Sequence, residues 1–488
     1  MLGIKLKAYP SPEQRLKLSQ WMGCARFLYN AKCDENRYFR GFAAKFSTYD
    51  KIPLDRAYSQ FNSEETSWLK DCPSEIRRNS VDQWHKAYWK YIKKEVKGRP
   101  ARKKKHRNSL TLDSKCFRFE DNDLFIFDSK KWQFGQLKVK LTPRARLAIK
   151  KNEIKTLIIK KQAATYTVSF CFDDPLAQDE AFSDEEHFQF LKGKTEDELK
   201  SMVKGYDRGI VHIASGSDGK HHDFTGNEVK SARRAEKYKR RYQRIMARRK
   251  KGSNRYKKAK LHMAKNSQKI ANIRDDRLHK ISHDIVEDKA SVIIMEDLNL
   301  KGMTRKPKAK KCEETGKWLK NKAKAKAGLN KAMLHNGLGK LKDLTYYKAK
   351  RFGKALFLVN PSYSSQECAD CAHIHPDNRK SQEIFKCVAC GVERNADENA
   401  GIVLQNRAIK LILDPGTGLL GKKSMVKKLS STTQHGRPAK AKAKSRIRKT
   451  QKPKGKVQNR IPSKKKEKAI EIPLPPPIQD SWSEIFFS

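Results

Sequence analysis

The sequence contains few acidic residues for its length. Its 488 residues include 54 aspartates and glutamates against 109 lysines and arginines, which gives a formal net charge of +55 at pH 7. A chain with this excess of positive charge needs a polyanion to neutralise it, and nucleic acid is the usual one. A solvated charged surface normally mixes both signs, whereas the basic residues here come in blocks. We therefore expect a nucleic-acid partner.

Long apolar stretches are also missing. No run of about 18 apolar residues occurs, and the N-terminal segment MLGIKLKAYPSPEQ lacks the apolar core of a signal peptide. We therefore expect a protein without membrane contact that stays in the cytoplasm, associated with the nucleoid. A chain of 488 residues is too long for one ordinary core, so several domains are expected.

Cysteines are few, and only four of the ten lie close together in the sequence. Cys368, Cys371, Cys387 and Cys390 form the pattern C-x2-C-x15-C-x2-C. Four thiolates at this spacing close a tetrahedral Zn2+ site, and because no ligand position stays open, the site is structural rather than catalytic. The scattered remainder indicates a reducing compartment.

Sequence periodicity divides the chain into a helical part, a β part and an α/β part. Helical spacing continues to about residue 97, and alternation at period two over residues 109–173 predicts a small antiparallel β unit, a barrel that the first strand, GIKLKAY, also joins. Beyond residue 201 strands alternate with helices, which is typical of an α/β domain. Residues 230–260 hold 16 lysines or arginines against one acid, so we expect a basic helical hairpin that contacts phosphate.

The C-terminal residues from Asp414 onward have a different composition. They are rich in lysine and proline and lack apolar periodicity, and the span 421–468 holds 19 basic residues and one acid. We expect a tail without fixed structure that binds nucleic acid through its charge.

Three acidic residues stand where the predicted elements favour apolar side chains or a helix start. Asp207 is in phase with Val211 on its predicted strand, Glu296 is in phase with Ile294, and Asp397 begins the last predicted helix. A carboxylate that points toward a core is costly unless a cation meets it. Each acid alone is more often a cap or a turn residue, but three of them in so basic a chain indicate a metal site.

Five short segments give the sequence a family resemblance. In chain order they are GYDRGI, IIMEDLNL, NPSYSSQECADC, CVACG and NADENA. Their order and spacing resemble the RuvC-like nuclease of the TnpB proteins, which bacterial insertion sequences encode, and of their descendants, the miniature type V CRISPR nucleases. The match is dense over residues 203–408, weaker over residues 1–200 and absent from the tail.

The resemblance implies a fold, an activity and roles for individual residues. The implied fold is multidomain α+β, with a ribonuclease-H-like RuvC domain that carries a zinc ribbon and follows a β-barrel wedge domain with a helical recognition insertion. Asp207, Glu296 and Asp397 would bind two catalytic Mg2+ ions, and Arg394 would neutralise phosphate charge or else be a structural surface residue. The implied activity is RNA-guided cutting of double-stranded DNA beside a short duplex motif, with guide RNA and target DNA as partners.

The resemblance also implies an order of domains along the chain. They are the first wedge strand (1–16), the helical recognition domain (17–104), the rest of the wedge barrel (105–200), the nuclease domain with the basic hairpin (201–366), the zinc ribbon (367–391), the last nuclease helix (392–413) and the basic tail (414–488). One departure from the family pattern is Gly401, where alanine is usual, and we expect it to loosen the last helix.

Three alternative functions stay open. A CRISPR effector with an array-derived guide would share these residues, and only neighbouring genes or the bound RNA would separate the two. A programmable repressor that binds without cutting is disfavoured because all three acids are present. An unguided, structure-specific nuclease is disfavoured by the large helical and β parts before residue 200.

Overall fold

The computed structural model describes most of the chain up to Lys427. The described ranges are 2–43, 54–104, 108–120, 123–128, 131–163, 165–173, 183–309, 311–312, 315–316, 318–319, 321–420 and 424–427. All of them belong to one unit of contacting residues, Met1–Ser430. Within the described part, no helix is both long enough and apolar enough to cross a membrane.

The N-terminal half combines two long helices with antiparallel strands. Its elements are β1 (Leu2–Ala8), α1 (Pro12–Ala43), α2 (Ser74–Ile92), β2 (Asn108–Asp113), β3 (Phe117–Glu120), β4 (Asp123–Ile126), β5 (Gly135–Leu137), α3 (Pro143–Lys151), β6 (Thr156–Gln162) and β7 (Thr165–Phe172). The strands form a sheet in the order β1-β7-β6-β2 and a second sheet in the order β3-β4-β5. The antiparallel unit and the inclusion of the first strand are confirmed, whereas the closed barrel stays a prediction.

Alternating apolar residues build the core of this half. Every second residue of β7 is buried, including Val168 and Phe170. They pack with Ile159 of β6 and with Trp21 of α1. Burial of such side chains stabilises the fold by about 1.5–3 kcal/mol each, so α1 is held across the sheet by its apolar face.

The C-terminal half is built on a seven-stranded sheet. Its elements are α4 (Asp184–Lys192), α5 (Glu196–Met202), β8 (Val203–Asp207), β9 (Ala214–Gly216), β10 (His221–His222), α6 (Gly226–Ala247), α7 (Asn254–Glu287), β11 (Val292–Glu296), α8 (Leu300–Met303), α9 (Ala323–Asn336), α10 (Leu338–Arg351), β12 (Ala355–Val359), β13 (Ile384–Lys386), β14 (Glu393–Asn395), α11 (Ala396–Leu413), β15 (Thr417–Leu420) and β16 (Ser424–Lys427). The sheet has the order β10-β9-β8-β11-β12-β16-β15. Its central strands β8, β11 and β12 are parallel and almost entirely buried, and β11 and β12 have nearly continuous apolar sequences, as is typical of strands covered on both faces.

The basic hairpin predicted for residues 230–260 is confirmed as α6 and α7. Thr225 caps α6 in a capping box with Glu228, and Ser253 caps α7 by accepting from the backbone N–H of Tyr256. Both caps satisfy backbone donors that the first helical turn leaves unpaired. The helices are therefore well defined although few of their residues are buried.

Helix α11 lies in direct backbone contact with β8. A Cβ atom placed on Gly205 would lie 2.1 Å from the carbonyl oxygen of Gly401, and one placed on Gly401 would lie 3.0 Å from the backbone nitrogen of Ser217. The expectation that Gly401 loosens this helix is therefore wrong. The missing side chains at both glycines allow the helix and the sheet to approach closely.

The tail predicted from Asp414 begins too early in the chain. Strands β15 and β16 pair with each other, and β16 extends the sheet beside β12. Met425 is buried among the apolar residues between α11 and the sheet. The sequence did not predict this contact, because strands of four residues are too short to show a clear alternation of apolar residues. Residues 428–488, which form the rest of the predicted tail, lie outside the described residues.

The glycine contact predicts a large loss of stability from one added methyl group. Gly205→Ala should lower the free energy of unfolding by about 1–3 kcal/mol, because the Cβ atom meets backbone that cannot rotate away. Gly328→Ala is the matched control. It lies exposed within α9 with no atom within 4 Å of the added Cβ, and should gain up to about 1 kcal/mol. Equal unfolding midpoints for Gly205→Ala and wild type in thermal melts would contradict the contact.

Candidate active site

Two parallel strands bring Asp207 and Glu296 to the same edge of the sheet. The register pairs Tyr206 with Met295, so the next residues along, Asp207 and Glu296, lie side by side at the carboxyl ends of β8 and β11. Glu296 is buried and Asp207 is half-buried. The predicted phase with Val211 is wrong, because β8 ends at Asp207 and Val211 is 51% exposed in the following loop.

The third acid arrives on the first turn of α11. Asn395 caps this helix by accepting from the backbone N–H groups of Asp397 and Glu398 at 2.9 and 3.3 Å. Asp397 lies one turn before Gly401, the residue in contact with β8, and is 8% exposed. The negative charge of Asp397 contributes to raising the pKa of Asp207, so the two carboxylates are close enough to interact. The structure thus brings together all three predicted acids.

The carboxylates repel one another in a poorly hydrated place. Burial is the main cause that raises the pKa of Asp207, and the charge of Asp397 adds to it. Burial likewise raises the pKa of Glu296 to about 8, with the charge of Asp207 as the second cause. The interaction between the two carboxyl groups lowers the pKa of Asp207 in part and raises the pKa of Glu296 further. Such a pair gains free energy when a cation replaces the proton.

Two arginines lie near these acids. Arg208 is buried and donates to the carbonyl oxygens of Glu296 and Leu338, the latter at 2.9 Å. Arg379 lies 3.7 Å from a carboxylate oxygen of Asp397. Sequence reasoning missed both, although Arg208 directly follows Asp207 and Arg379 lies between the two cysteine pairs.

Arg394 is the arginine that the sequence favoured. Arg394 lies on β14, which pairs with β13. Its guanidinium forms an ion pair with Asp370 at 2.5 Å. The structure therefore places Arg394 against the cysteine-rich segment, and Arg379 is the arginine in contact with Asp397.

The four predicted cysteines come together in the C-terminal half, two of them buried and two exposed. Their sulfur atoms lie within 4.8 Å of one another, and the pairs Cys368–Cys390 and Cys371–Cys387 are 3.6 Å apart. Sulfurs at the usual 2.3 Å from one tetrahedral zinc ion are about 3.8 Å apart, so the cluster fits a structural zinc site. Burial raises the pKa of Cys387, but hydrogen bonds from the backbone of Cys390 and Ala389 outweigh it and bring the pKa to about 7.

The cysteine-rich segment is fastened to α11 by three side chains. Asn399 is fully buried, donates to the carbonyl oxygen of Glu367 at 2.7 Å and accepts from the N–H of Ala369 at 3.1 Å. Asn406 donates to the carbonyl oxygen of Ala369 at 2.9 Å, and Arg407 pairs with the carboxylate of Glu367. The helix that carries Asp397 is therefore ordered together with the zinc site.

The three acids also fit a magnesium site by their chemistry. Carboxylate oxygens are the ligands that Mg2+ prefers, and burial together with the neighbouring carboxylates raises the pKa of two of these groups. Among the described residues only the four cysteines gather their ligand atoms within 4.8 Å of one another. The magnesium site is therefore supported by the donor type, the burial and the mutual repulsion of the three carboxyl groups. It is not supported by a short distance between their oxygen atoms.

Three protein-family models match segments of the chain. The OrfB_IS605 model, described as a probable transposase, matches residues 187–306, and the helix-turn-helix model HTH_OrfB_IS605 matches residues 1–37. The Cas12f1-like TNB domain model matches residues 339–404. The first and third of these segments contain the three acids and the four cysteines.

Known proteins match over most of the chain or closely over a short part. The putative RNA-guided DNA endonuclease InsQ of Escherichia coli (strain K12) is 26% identical over 443 residues, which cover 90% of this chain and 96% of InsQ. The chain belongs to the TnpB family. It is related to Cas12f1, since the endodeoxyribonuclease Cas12f1 of Sulfoacidibacillus thermotolerans is 47% identical over 60 residues, 12% of this chain and 14% of that protein.

A solved structure also aligns with this TnpB-family chain. It is a cryo-EM structure of a Cas12f1-sgRNA-target DNA complex, with a TM-score of 0.48 and 12% identity. The alignment covers 83% of this chain and 99% of the Cas12f1 chain.

The raised pKa of Glu296 predicts a pH-dependent stability. In buffer without Mg2+, the folded protein keeps a proton on Glu296 up to about pH 8, whereas the unfolded chain loses it near 4.5. The free energy of unfolding should therefore fall as pH rises through this window. Glu296→Gln has no such proton, so it should melt a few degrees above wild type at pH 8 and together with it at pH 4.5. The exposed Glu287→Gln is the control, and a Glu296→Gln melting point at or below that of wild type at pH 8 would refute this.

The zinc site predicts one zinc ion per chain of freshly purified, reduced protein. Cys387→Ser should lose the zinc and loosen the first turn of α11, because the segment that the ion orders is bonded to Asn399 and Arg407. Elemental analysis measures the ion, and hydrogen exchange measures the helix turn. Cys171→Ser, which lies on β7, should keep both unchanged. Wild-type protein free of zinc would contradict the assignment.

Proposed function

We propose that this TnpB-family protein is an RNA-guided, Mg2+-dependent DNA endonuclease. The observation that carries the proposal is the meeting of Asp207, Glu296 and Asp397 at one edge of a parallel sheet, from three segments far apart in sequence. The names of the relatives support the same activity, since InsQ is named a putative RNA-guided DNA endonuclease. The intact acids favour cutting over repression without cutting.

The parallel strands β8, β11 and β12 with α11 across them support a ribonuclease-H-like RuvC site. Asp207, Glu296 and Asp397 would hold the metal ions with all three carboxyl groups ionised. Two Mg2+ ions held there would supply the activation of a water and the stabilisation of the leaving 3′ oxygen. Arg379, beside Asp397, is placed to neutralise phosphate charge. Arg208 holds the carbonyl of Glu296 and so fixes the end of β11.

The basic surfaces support binding of both guide and target. Lysines and arginines cover α6 and α7, and such side chains contact phosphate without reading base identity. We assign the β unit and the N-terminal helices to the grip on the duplex beside the target and on the guide–target hybrid. Sequence reading is left to base pairing with the guide.

The proposed metal ligands predict a separation of cutting from binding. Asp207→Ala, Glu296→Gln and Asp397→Ala should each slow DNA cleavage by at least about a thousandfold, because each removes a metal ligand. Binding of nucleic acid should change little, since none of the three supplies phosphate-binding charge. Asp276→Ala, at an exposed acid of α7 paired with Lys280, is the control. A variant of the three that cuts at the wild-type rate would be excluded from the site.

The guided mechanism predicts one defined RNA in protein purified from its own source. Some RNA will accompany a chain of net charge +55 in any case. The test is therefore the sequence of that RNA, which should consist of a constant scaffold and a variable end. Replacing that end should move the cut to the newly matching DNA, because base pairing sets the specificity. A cut site that stays in place when the RNA changes would instead establish an unguided nuclease.

A further inference from the structure

A row of paired residues leads from Asp207 on β8 across β9 to the outermost strand, β10. The register of β8 and β9 places Asp207 opposite Ser215, and that of β9 and β10 places Ser215 opposite His221. Residues directly opposite one another in an antiparallel pair project their side chains to the same face. Asp207, Ser215 and His221 therefore share one face of the sheet.

That face is the one on which α11 and the proposed metal site lie. Gly205 and Asp207 are two apart on β8 and so face the same side. The Cβ direction of Gly205 points at the backbone of Gly401 in α11. His221 consequently stands at the rim of the proposed metal site, two strands away from Asp207.

The ring of His221 is held in place from two sides. Its Nδ1 atom lies 2.9 Å from the hydroxyl oxygen of Ser215, which is 2% exposed and therefore fixed. The ring of His212 stacks on it, with centroids 4.1 Å apart and planes inclined by 14°. His212 is in turn oriented by Asp223, whose carboxylate oxygen lies 2.5 Å from its Nδ1 atom. Three side chains, those of Ser215, His212 and Asp223, thus hold one exposed imidazole in place.

The second nitrogen of that imidazole has no hydrogen-bond partner in the described part of the chain. None of the described residues forms a hydrogen bond with Nε2 of His221, and the residue is exposed. When the Ser215 hydroxyl donates to Nδ1, the neutral imidazole carries its own proton on Nε2, and a protonated imidazole donates from both nitrogens. In these two forms Nε2 is a hydrogen-bond donor.

The distance between His221 and Asp207 is close to the length of about three nucleotides of a nucleic-acid strand. Two strand spacings separate them by about 10 Å, and one strand of a duplex advances about 3.4 Å per nucleotide. A strand whose scissile phosphate lies at Asp207 can therefore present a phosphate about three nucleotides away at His221. Phosphate oxygens are the commonest hydrogen-bond acceptors that proteins use on nucleic acid.

We propose that His221 is a phosphate-binding residue at the rim of the cleavage site. Its Nε2 atom donates a hydrogen bond to a non-bridging phosphate oxygen about three nucleotides from the cleaved bond, while Ser215 and His212 hold the ring. This inference rests on the proposed nuclease function. The contact aligns the strand over the three acids and takes no part in breaking the bond.

The test replaces single phosphates of the target strand by uncharged methylphosphonates and measures cleavage by guide-loaded protein. Wild type should slow about tenfold when the phosphate that faces His221 is replaced. His221→Phe keeps a ring against His212 but has no donor. The His221→Phe variant should cut unmodified DNA about tenfold more slowly than wild type. A methylphosphonate at the position that faces residue 221 should slow this variant no further, as a double-mutant cycle requires for two groups in contact. His221→Gln, with an amide donor, should recover part of the rate.

The control and the contradicting results are distinct. His283→Phe changes a histidine on α7 that pairs with Glu287, and it should cut and respond to each methylphosphonate as wild type does. The inference is overturned if His221→Phe cuts at the wild-type rate, or if it stays sensitive to the same position as wild type. Wild-type protein that cuts no guided target would overturn the nuclease function itself, and this inference with it.

Discussion

The close approach of Gly205 and Gly401 determines where the acidic groups of this protein lie. Because neither residue has a side chain, the backbone of α11 rests on the backbone of β8, and Asp397, one helical turn away, is brought to the end of the strand that carries Asp207. The cysteine-rich segment is bonded to the same helix through Asn399. One contact between two glycines therefore sets the position of a proposed ligand and of the cysteine cluster bonded to the same helix.

The charges of the molecule are divided between two tasks. Over the whole chain lysine and arginine outnumber acids about twofold, and a surface of that kind attracts phosphate. The carboxyl ends of β8 and β11 carry negative charge instead. Asp207 and Glu296 lie side by side there with little contact with water, and their pKa values are raised. Such an arrangement is costly to the fold without a cation, and that cost is typical of a site built to bind one.

The sequence predicted those parts of the fold whose signal is local. Asp207 and Glu296 stood out as acids among apolar neighbours, although the sequence placed Asp207 inside a strand and the structure ends β8 at that residue. The cysteine spacing stood out in the same way. Arg379 could not be found in this way, because only the fold of the cysteine-rich segment brings it to Asp397. The role of Gly401 and the burial of Met425 depend in the same way on contacts between distant segments.

The central claim is that Asp207, Glu296 and Asp397 form one site for divalent metal ions. The most direct measurement is anomalous X-ray scattering from crystals of the protein soaked in Mn2+, which replaces Mg2+ at oxygen ligands and can be located by its absorption edge. The account predicts manganese peaks bounded by these three carboxylates. Crystals that show zinc at the four cysteines but no manganese between the three acids would contradict it.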